Sequence, residues 1–161
     1  LRLDSSSKDY VFKEQELDPI IKEVIRKFAG QFIRKKLRLY YSPLNVKVLT
    51  DEKWLAFVLE QVLSNAIKYT PSGSITIELE EPCTLCFRDT GIGIAPEDLP
   101  RVFEKSYTGY NGRSDKKASG IGLYLCRQIC NNLGHTISVN SSVDSGTVVK
   151  IRLDHKDLQV E

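Results

Sequence analysis

The chain of 161 residues predicts a two-layer α/β sandwich, in which a mixed, mainly antiparallel sheet carries about three helices on one face. Three observations lead there. Apolar residues recur at helical spacing in three stretches, after Pro19, after Asp51 and after Ile121. Short alternating runs rich in β-branched residues lie around them. Capping and turn residues mark most of the junctions.

Residues 10–17 read as a short strand. Asp18 then offers an N-cap and Pro19 a first helical position. The helix they open has Ile20, Ile21, Val24, Ile25, Phe28, Phe32 and Ile33 on its apolar face. Residues 37–41 and 46–49 read as two strands joined by a turn around Pro43 and Asn45. Asp51 caps a helix over 52–69, with Trp54, Leu55, Val58, Val62, Leu63 and Ile67 as its buried stripe, and Pro71-Ser72-Gly73 stops it. Residues 74–80 alternate as a strand, and 83–88 form another beyond a turn at Glu81-Pro82. Residues 89–119 show little periodicity beyond a short helical turn at 97–103, and a loop this long inside a domain is usually functional. A helix over 121–133 ends at Gly134. Strands over 135–141 and 146–153 form a hairpin around Asp144-Ser145-Gly146.

The bulk numbers narrow the function. Lys plus Arg number 23 and Asp plus Glu 21, a formal net charge of +2, which argues against a dedicated nucleic-acid binder. No apolar run approaches the roughly 18 residues of a membrane-spanning helix. The four cysteines, Cys83, Cys86, Cys126 and Cys130, include a CxxC, but it falls on a strand and no zinc-ribbon loop surrounds it. Reduced, partly buried thiols are the preferred reading over a zinc site.

Four segments carry chemistry. They are Gln61-Val-Leu-Ser-Asn65-Ala-Ile-Lys68-Tyr69, Asp89-Thr-Gly91-Ile-Gly93-Ile94, Phe103-Glu-Lys105-Ser-Tyr107 and Ser119-Gly120-Ile121-Gly122-Leu123, with Gly146-Thr147 as a last glycine motif. Any one of them is a weak signal. Together, in this order and spacing, they resemble the N, G1, F and G2 boxes of the histidine-kinase branch of the GHKL ATP-binding superfamily, from about residue 10 onward. The resemblance implies the Bergerat ATP-binding fold over 10–161, with an ATP lid at about 104–118. It implies ATP or ADP with Mg²⁺ as cofactors. It also places nucleotide contacts at Asn65, Lys68, Tyr69, Asp89, Gly91, Gly93, Ile94, Phe103, Lys105, Tyr107, Gly120, Ile121, Gly122, Leu123 and Thr147, and catalytic roles at Gln61, Asn65 and Lys68. Residues 1–9 resemble the end of the linker that follows a dimerisation domain. The opening and the 10–41 segment look like the small sensors of envelope stress or peptide antibiotics in Gram-positive bacteria. The implied whole is a membrane-bound homodimer that passes phosphate to a response regulator, of which this chain is a monomeric cytoplasmic part.

The residue chemistry agrees with that resemblance. Positions 61, 65, 68 and 69 share one side of their helix, opposite the apolar stripe. Asn65 offers a neutral oxygen that suits Mg²⁺ held chiefly by phosphates and water. Lys68 is a mobile charge for phosphate oxygens, and Tyr69 a flat face for a base. An incidental polar helix surface is the bland alternative. Asp89 can accept from the exocyclic amine of adenine, whereas guanine places a carbonyl there. Gly91 and Gly93 would let backbone come close to the ring; an ordinary Asp-Thr-Gly turn is the competing reading. Gly120 and Gly122 precede a helix whose free amides attract anions; a flexible hinge is their alternative. From 101 to 117, five Lys or Arg (101, 105, 113, 116, 117) face two acids (104, 115), a local charge of 5 − 2 = +3. This reads as a basic lid over phosphates, or more simply as a solvated charge run.

Two departures from the family pattern matter. Gln61 stands where its kinases usually carry Asn and its hydrolysing branches carry a Glu that activates water. An amide cannot take that proton at neutral pH, which argues against efficient hydrolysis. Tyr107 replaces the second Phe of the F box. The two histidines, His135 and His155, lie outside any phosphoacceptor context. Transfer to a histidine supplied by a dimerisation domain is the leading expectation. A protein-serine kinase of the anti-sigma type and a nucleotide-gated interaction module without transfer activity are the alternatives.

Overall fold

The middle helix organises the molecule. A computed structural model describes residues 10–105 and 122–154. In it α2 (Glu52–Lys68) buries Trp54, Leu55, Val58, Leu59, Val62, Leu63, Ala66 and Ile67. That stripe is wider than the six residues expected because α2 packs between α1 (Leu17–Lys35) and α3 (Leu123–Leu133) and also onto the sheet. At about 1.5–3 kcal/mol for each large side chain withdrawn from water, this helix anchors the core.

The five-stranded sheet runs in the order β2 (Arg38–Tyr41), β4 (Ser74–Glu80), β5 (Thr84–Asp89), β7 (Gly146–Arg152), β6 (Thr136–Ser142). Only the β2–β4 pair is parallel. The inward stripe of each long strand is apolar: Ile75 and Ile77, Leu85 and Phe87, Val149 and Ile151, Ile137 and Val139. The outward stripe is polar, and Arg88 there bridges Glu78 and Glu80 while Lys150 also meets Glu80. The expected sandwich of helices on one face of a mainly antiparallel sheet is therefore present.

Strand β3 (Lys47–Thr50) does not pair with β2 across the Pro43 turn. It pairs antiparallel with β1 (Lys13–Glu16) in a separate two-stranded ribbon. One expected cap is corrected. Helix α1 begins at Leu17, with Glu16 as N-cap and no side-chain cap, so Asp18 lies inside the first turn. Its carboxylate instead accepts from the amides of Leu44 (2.8 Å) and Asn45 (2.7 Å) and from the Tyr41 hydroxyl. Burial opposes the Asp18 charge, yet these donors outweigh it and hold the carboxyl below its usual range. The residue that looked like a helix start thus fastens the β2–β3 connection to α1.

Asp51 does cap α2, accepting from the Trp54 amide at 2.9 Å. Its other oxygen accepts from the Val11 amide at 2.6 Å, and beside it Tyr10 stacks on Trp54 with centroids 5.1 Å apart. The incoming chain is thereby tied to the start of α2. We expect Asp51→Ala to cost more than the roughly 1–2 kcal/mol of a lost cap, because the Val11 amide also loses its acceptor. Asp51→Asn, which keeps one acceptor oxygen, should recover part of the loss; urea midpoints measure both.

Candidate functional site

At one end of the sheet the inward stripes turn polar together. Strand register sets Asp89 opposite Thr147 and Thr147 opposite Ser141, so three neighbouring strands contribute a row of polar side chains beyond Phe87, Val149 and Val139. Asp89 Oδ1 accepts from the amides of Gly91 (2.9 Å) and Thr147 (3.1 Å). Burial pushes this carboxyl above its usual range, against the pull of those two amides. The buried Thr70 hydroxyl lies near enough to favour the charge but makes no regular hydrogen bond. The ionised carboxylate keeps Oδ2 without a backbone donor.

The last two turns of α2 close a second side. Gln61 and Asn65 are half-buried there, Lys68 is exposed, and Tyr69 is the C-cap. They border the buried stripe instead of lying opposite it, because that stripe takes in Leu59 and Ala66 as well and wraps further round the helix than the six expected residues do. The Lys68 ammonium stands 5.7 Å from the Tyr69 ring centroid. From α1, Lys35 donates to the Ile67 carbonyl and satisfies one of the helix-end acceptors.

The loop after Asp89 is laced to everything around it. The Ile92 amide donates to the Tyr69 carbonyl (3.0 Å), the Asp144 amide to the Ile92 carbonyl (2.8 Å), and the Ile94 amide to Ser141 Oγ (2.8 Å). Thr90 and Ser74 share three further bonds. Two glycines are required here by the packing of the protein itself. A Cβ on Gly91 would stand 2.1 Å from the Tyr69 carbonyl oxygen, and one on Gly93, whose φ is +77°, 2.0 Å from that of Ser142. What comes within touching distance of these glycines is the protein's own backbone, and this lacing holds the loop in place.

The F-box segment enters through a short 3-10 helix, Leu99–Arg101. Val102 is buried, and half-buried Phe103 packs on the core beneath the Arg127 guanidinium of α3, 4.3 Å from the ring centroid. Ile94 packs on the same core, and Lys105 is exposed. Tyr107, Gly120 and Ile121, with most of the expected lid, lie outside the described residues. Gly122 is the N-cap of α3 in left-handed conformation, so the helix begins at buried Leu123, two residues later than expected.

The remaining candidates sit elsewhere. Cys126 and Cys130 are enclosed in the core, where burial drives the Cys126 thiol up to about 12 and Cys130 upward as well. Cys86 is raised to about 11 by burial and the nearby Glu80. Thiols kept protonated in this way are poor metal ligands. His135 is buried, with Nε2 at 2.9 Å from Thr50 Oγ1, which is no place for a phosphoacceptor; His155 is outside the described residues. The site also contains Thr70 and Ser141, which spacing alone did not single out.

The sequence profile of the family described as histidine kinase-, DNA gyrase B-, and HSP90-like ATPase matches residues 50–157. This chain belongs to that family. The domain is accordingly an ATP-binding one. It is 36% identical over 158 residues to the sensor histidine kinase YxdK of Bacillus subtilis, covering 92% of this chain and 48% of that protein. It is 34% identical to the sensor histidine kinase GraS of Staphylococcus haemolyticus, covering 91% and 44%. The chain thus spans about half the length of these relatives. The solved catalytic domain of histidine kinase ThkA superposes with a TM-score of 0.74 at 22% identity, covering 89% of this chain and 95% of that one, which establishes the shared fold.

The Asp89 clamp has a pH signature. Asp89 keeps its proton to higher pH in the fold than in the unfolded chain, whose carboxyl titrates near about pH 4. Between those two values the unfolded state binds fewer protons, so this residue makes stability fall as pH rises. We expect the stability of Asp89→Asn relative to wild type to improve through that interval and then level off. Urea midpoints at a series of pH values from about 4 upward test this; a flat difference would rule out the raised carboxyl.

Proposed function

We propose that this ATP-binding domain is the catalytic part of a sensor histidine kinase, transferring the γ-phosphoryl of Mg-ATP to a histidine on a dimerisation domain outside the chain. The observation that carries the reading is the clamped Asp89 at the polar end of the sheet, facing the N-box side of α2. With Oδ1 held by two amides, the carboxylate is suited to accept from the adenine amine and would repel the guanine carbonyl. Tyr69 offers its ring to the base, with Ile94 and Thr147 bordering it. Lys68 offers a cation to the phosphates, joined by Lys105 and by the amides following Gly122. Phe103, Tyr107, Gly120, Ile121 and Leu123 would be further nucleotide contacts, as the resemblance implies. Residues 1–9 would be the end of the linker to the dimerisation domain. The full-length relative would be a membrane-bound homodimer relaying phosphate to a response regulator, with this chain monomeric on its own.

Transfer forms a bond from γ-phosphorus to an imidazole nitrogen and breaks the bond to the β,γ-bridging oxygen, releasing ADP. Such chemistry needs positioning and charge neutralisation more than a protein nucleophile. Gln61 fits that division of labour, since its amide can orient groups but cannot take a proton from water. Asn65 would be the protein's one ligand to a Mg²⁺ otherwise held by phosphates and water. That oxygen-only arrangement agrees with a metal carried in by the nucleotide: among the described residues no group of His, Cys, Asp or Glu gathers to hold one.

Two outcomes follow. Asn65→Ala should weaken nucleotide binding strongly with Mg²⁺ present and much less in EDTA, by calorimetry. An equal loss in both would make Asn65 structural. With radiolabelled ATP, the 161-residue chain alone should hydrolyse slowly and label itself negligibly. Adding the dimerisation helices of the full-length protein should yield an acid-labile, alkali-stable phosphohistidine. Stoichiometric acid-stable label on Ser or Thr would overturn the proposal.

A further inference from the structure

We infer that Ser141 is a positioning residue for ligand specificity, fixing the proton of the Thr147 hydroxyl so that Thr147 presents only lone pairs toward a ligand at Asp89. The inference rests on the reading of Asp89 as the base-recognition residue. It comes from counting protons in one cluster. Ser141 Oγ is 2.8 Å from three partners: the Ile94 amide, the Gly146 carbonyl and the Thr147 hydroxyl. An amide can only donate and a carbonyl can only accept, while a serine hydroxyl has one proton and two lone pairs. The proton of Ser141 therefore goes to Gly146, and one lone pair takes the Ile94 amide. The other lone pair is left for Thr147, whose own proton must point at Ser141.

This polarity matters because of the row described above. Thr147 donates its amide to Asp89 Oδ1 and pairs with Asp89 across the two strands, so the residue that bears this hydroxyl is the carboxylate's neighbour in the inward row. With its proton committed to Ser141, that hydroxyl joins Asp89 Oδ2 as a second acceptor. Two adjacent acceptors fit an amine, or the water that an amine holds, and they oppose a carbonyl oxygen. Without Ser141 the Thr147 hydroxyl could rotate and donate to a carbonyl, which would erode the discrimination.

The test uses the 161-residue chain with Mg-ADP and Mg-IDP, which differ in placing an amine or a carbonyl at this edge of the base. Calorimetry should show wild type preferring ADP and Ser141→Ala lowering the ADP-to-IDP ratio about three- to tenfold, the worth of one hydrogen bond. Ser141→Thr should keep the ratio. Ser141→Cys, of similar shape but a weak acceptor, should lower it and serves where the alanine variant does not fold. In a Thr147→Val background, Ser141→Ala should lower the ratio no further, because the two residues act through one hydroxyl. Loss of both nucleotides in equal proportion, or a further fall in the double variant, would make Ser141 merely structural and overturn the inference. A wild-type chain that does not distinguish ADP from IDP would sink the reading of Asp89 along with it.

Discussion

The antiparallel register that sets Asp89 opposite Thr147, and Thr147 opposite Ser141, is the constraint on which the rest of the site depends. Side chains alternate faces along a strand, so a slip of one residue in any of these strands would turn its polar end outward and expose its apolar stripe. The core enforces the register: Phe87, Val149 and Val139 form the next inward row, against α2 and α3. The same packing energy that holds the sheet to the helices therefore aligns three polar groups at its end. The site needs no strain of its own, only a place where the apolar stripes stop together.

A second dependence runs through α2. Asp51 fixes its start and receives the incoming chain through the Val11 amide; Tyr69 fixes its end by accepting from Ile92. The helix between them is buried along most of its length, so its two ends move as one body. A carboxylate at the entrance and the candidate nucleotide-binding groups at the exit are thus joined by the most deeply packed element of the molecule.

Burial also sorts the reactive groups. Desolvation raises the cysteine thiols and keeps them protonated, and removes His135 from any surface. Asp89 is raised by burial too, but two backbone amides pull against that rise. It remains an acceptor in a half-buried position, where a hydrogen bond counts for more than in open water. The outward face of the sheet shows the opposite regime: the ion pairs among Glu78, Glu80, Arg88 and Lys150 are half-exposed and contribute little individually.

By itself the sequence determined the elements and the boxes. Helical spacing after Asp51 identified α2 with its Asn65, Lys68 and Tyr69, and the alternation in 74–80, 83–88 and 135–153 identified the sheet strands, because those signals are local. Their order and spacing also marked the family. Tertiary structure decided what depends on distant partners. Asp18 looked like a cap until the 44–45 loop reached its carboxylate, and the two strands joined by the turn at Pro43 take their partners, β4 and β1, from distant parts of the chain. At Gly91 and Gly93 the carbonyls of Tyr69 and Ser142 stand where a Cβ would be, a need for glycine that only the folded chain reveals. Ser141 gave no sign at all, since a serine on an alternating strand is ordinary; its meaning lies in three partners, of which Ile94 is 47 residues away in the chain and only folding brings it within 2.8 Å.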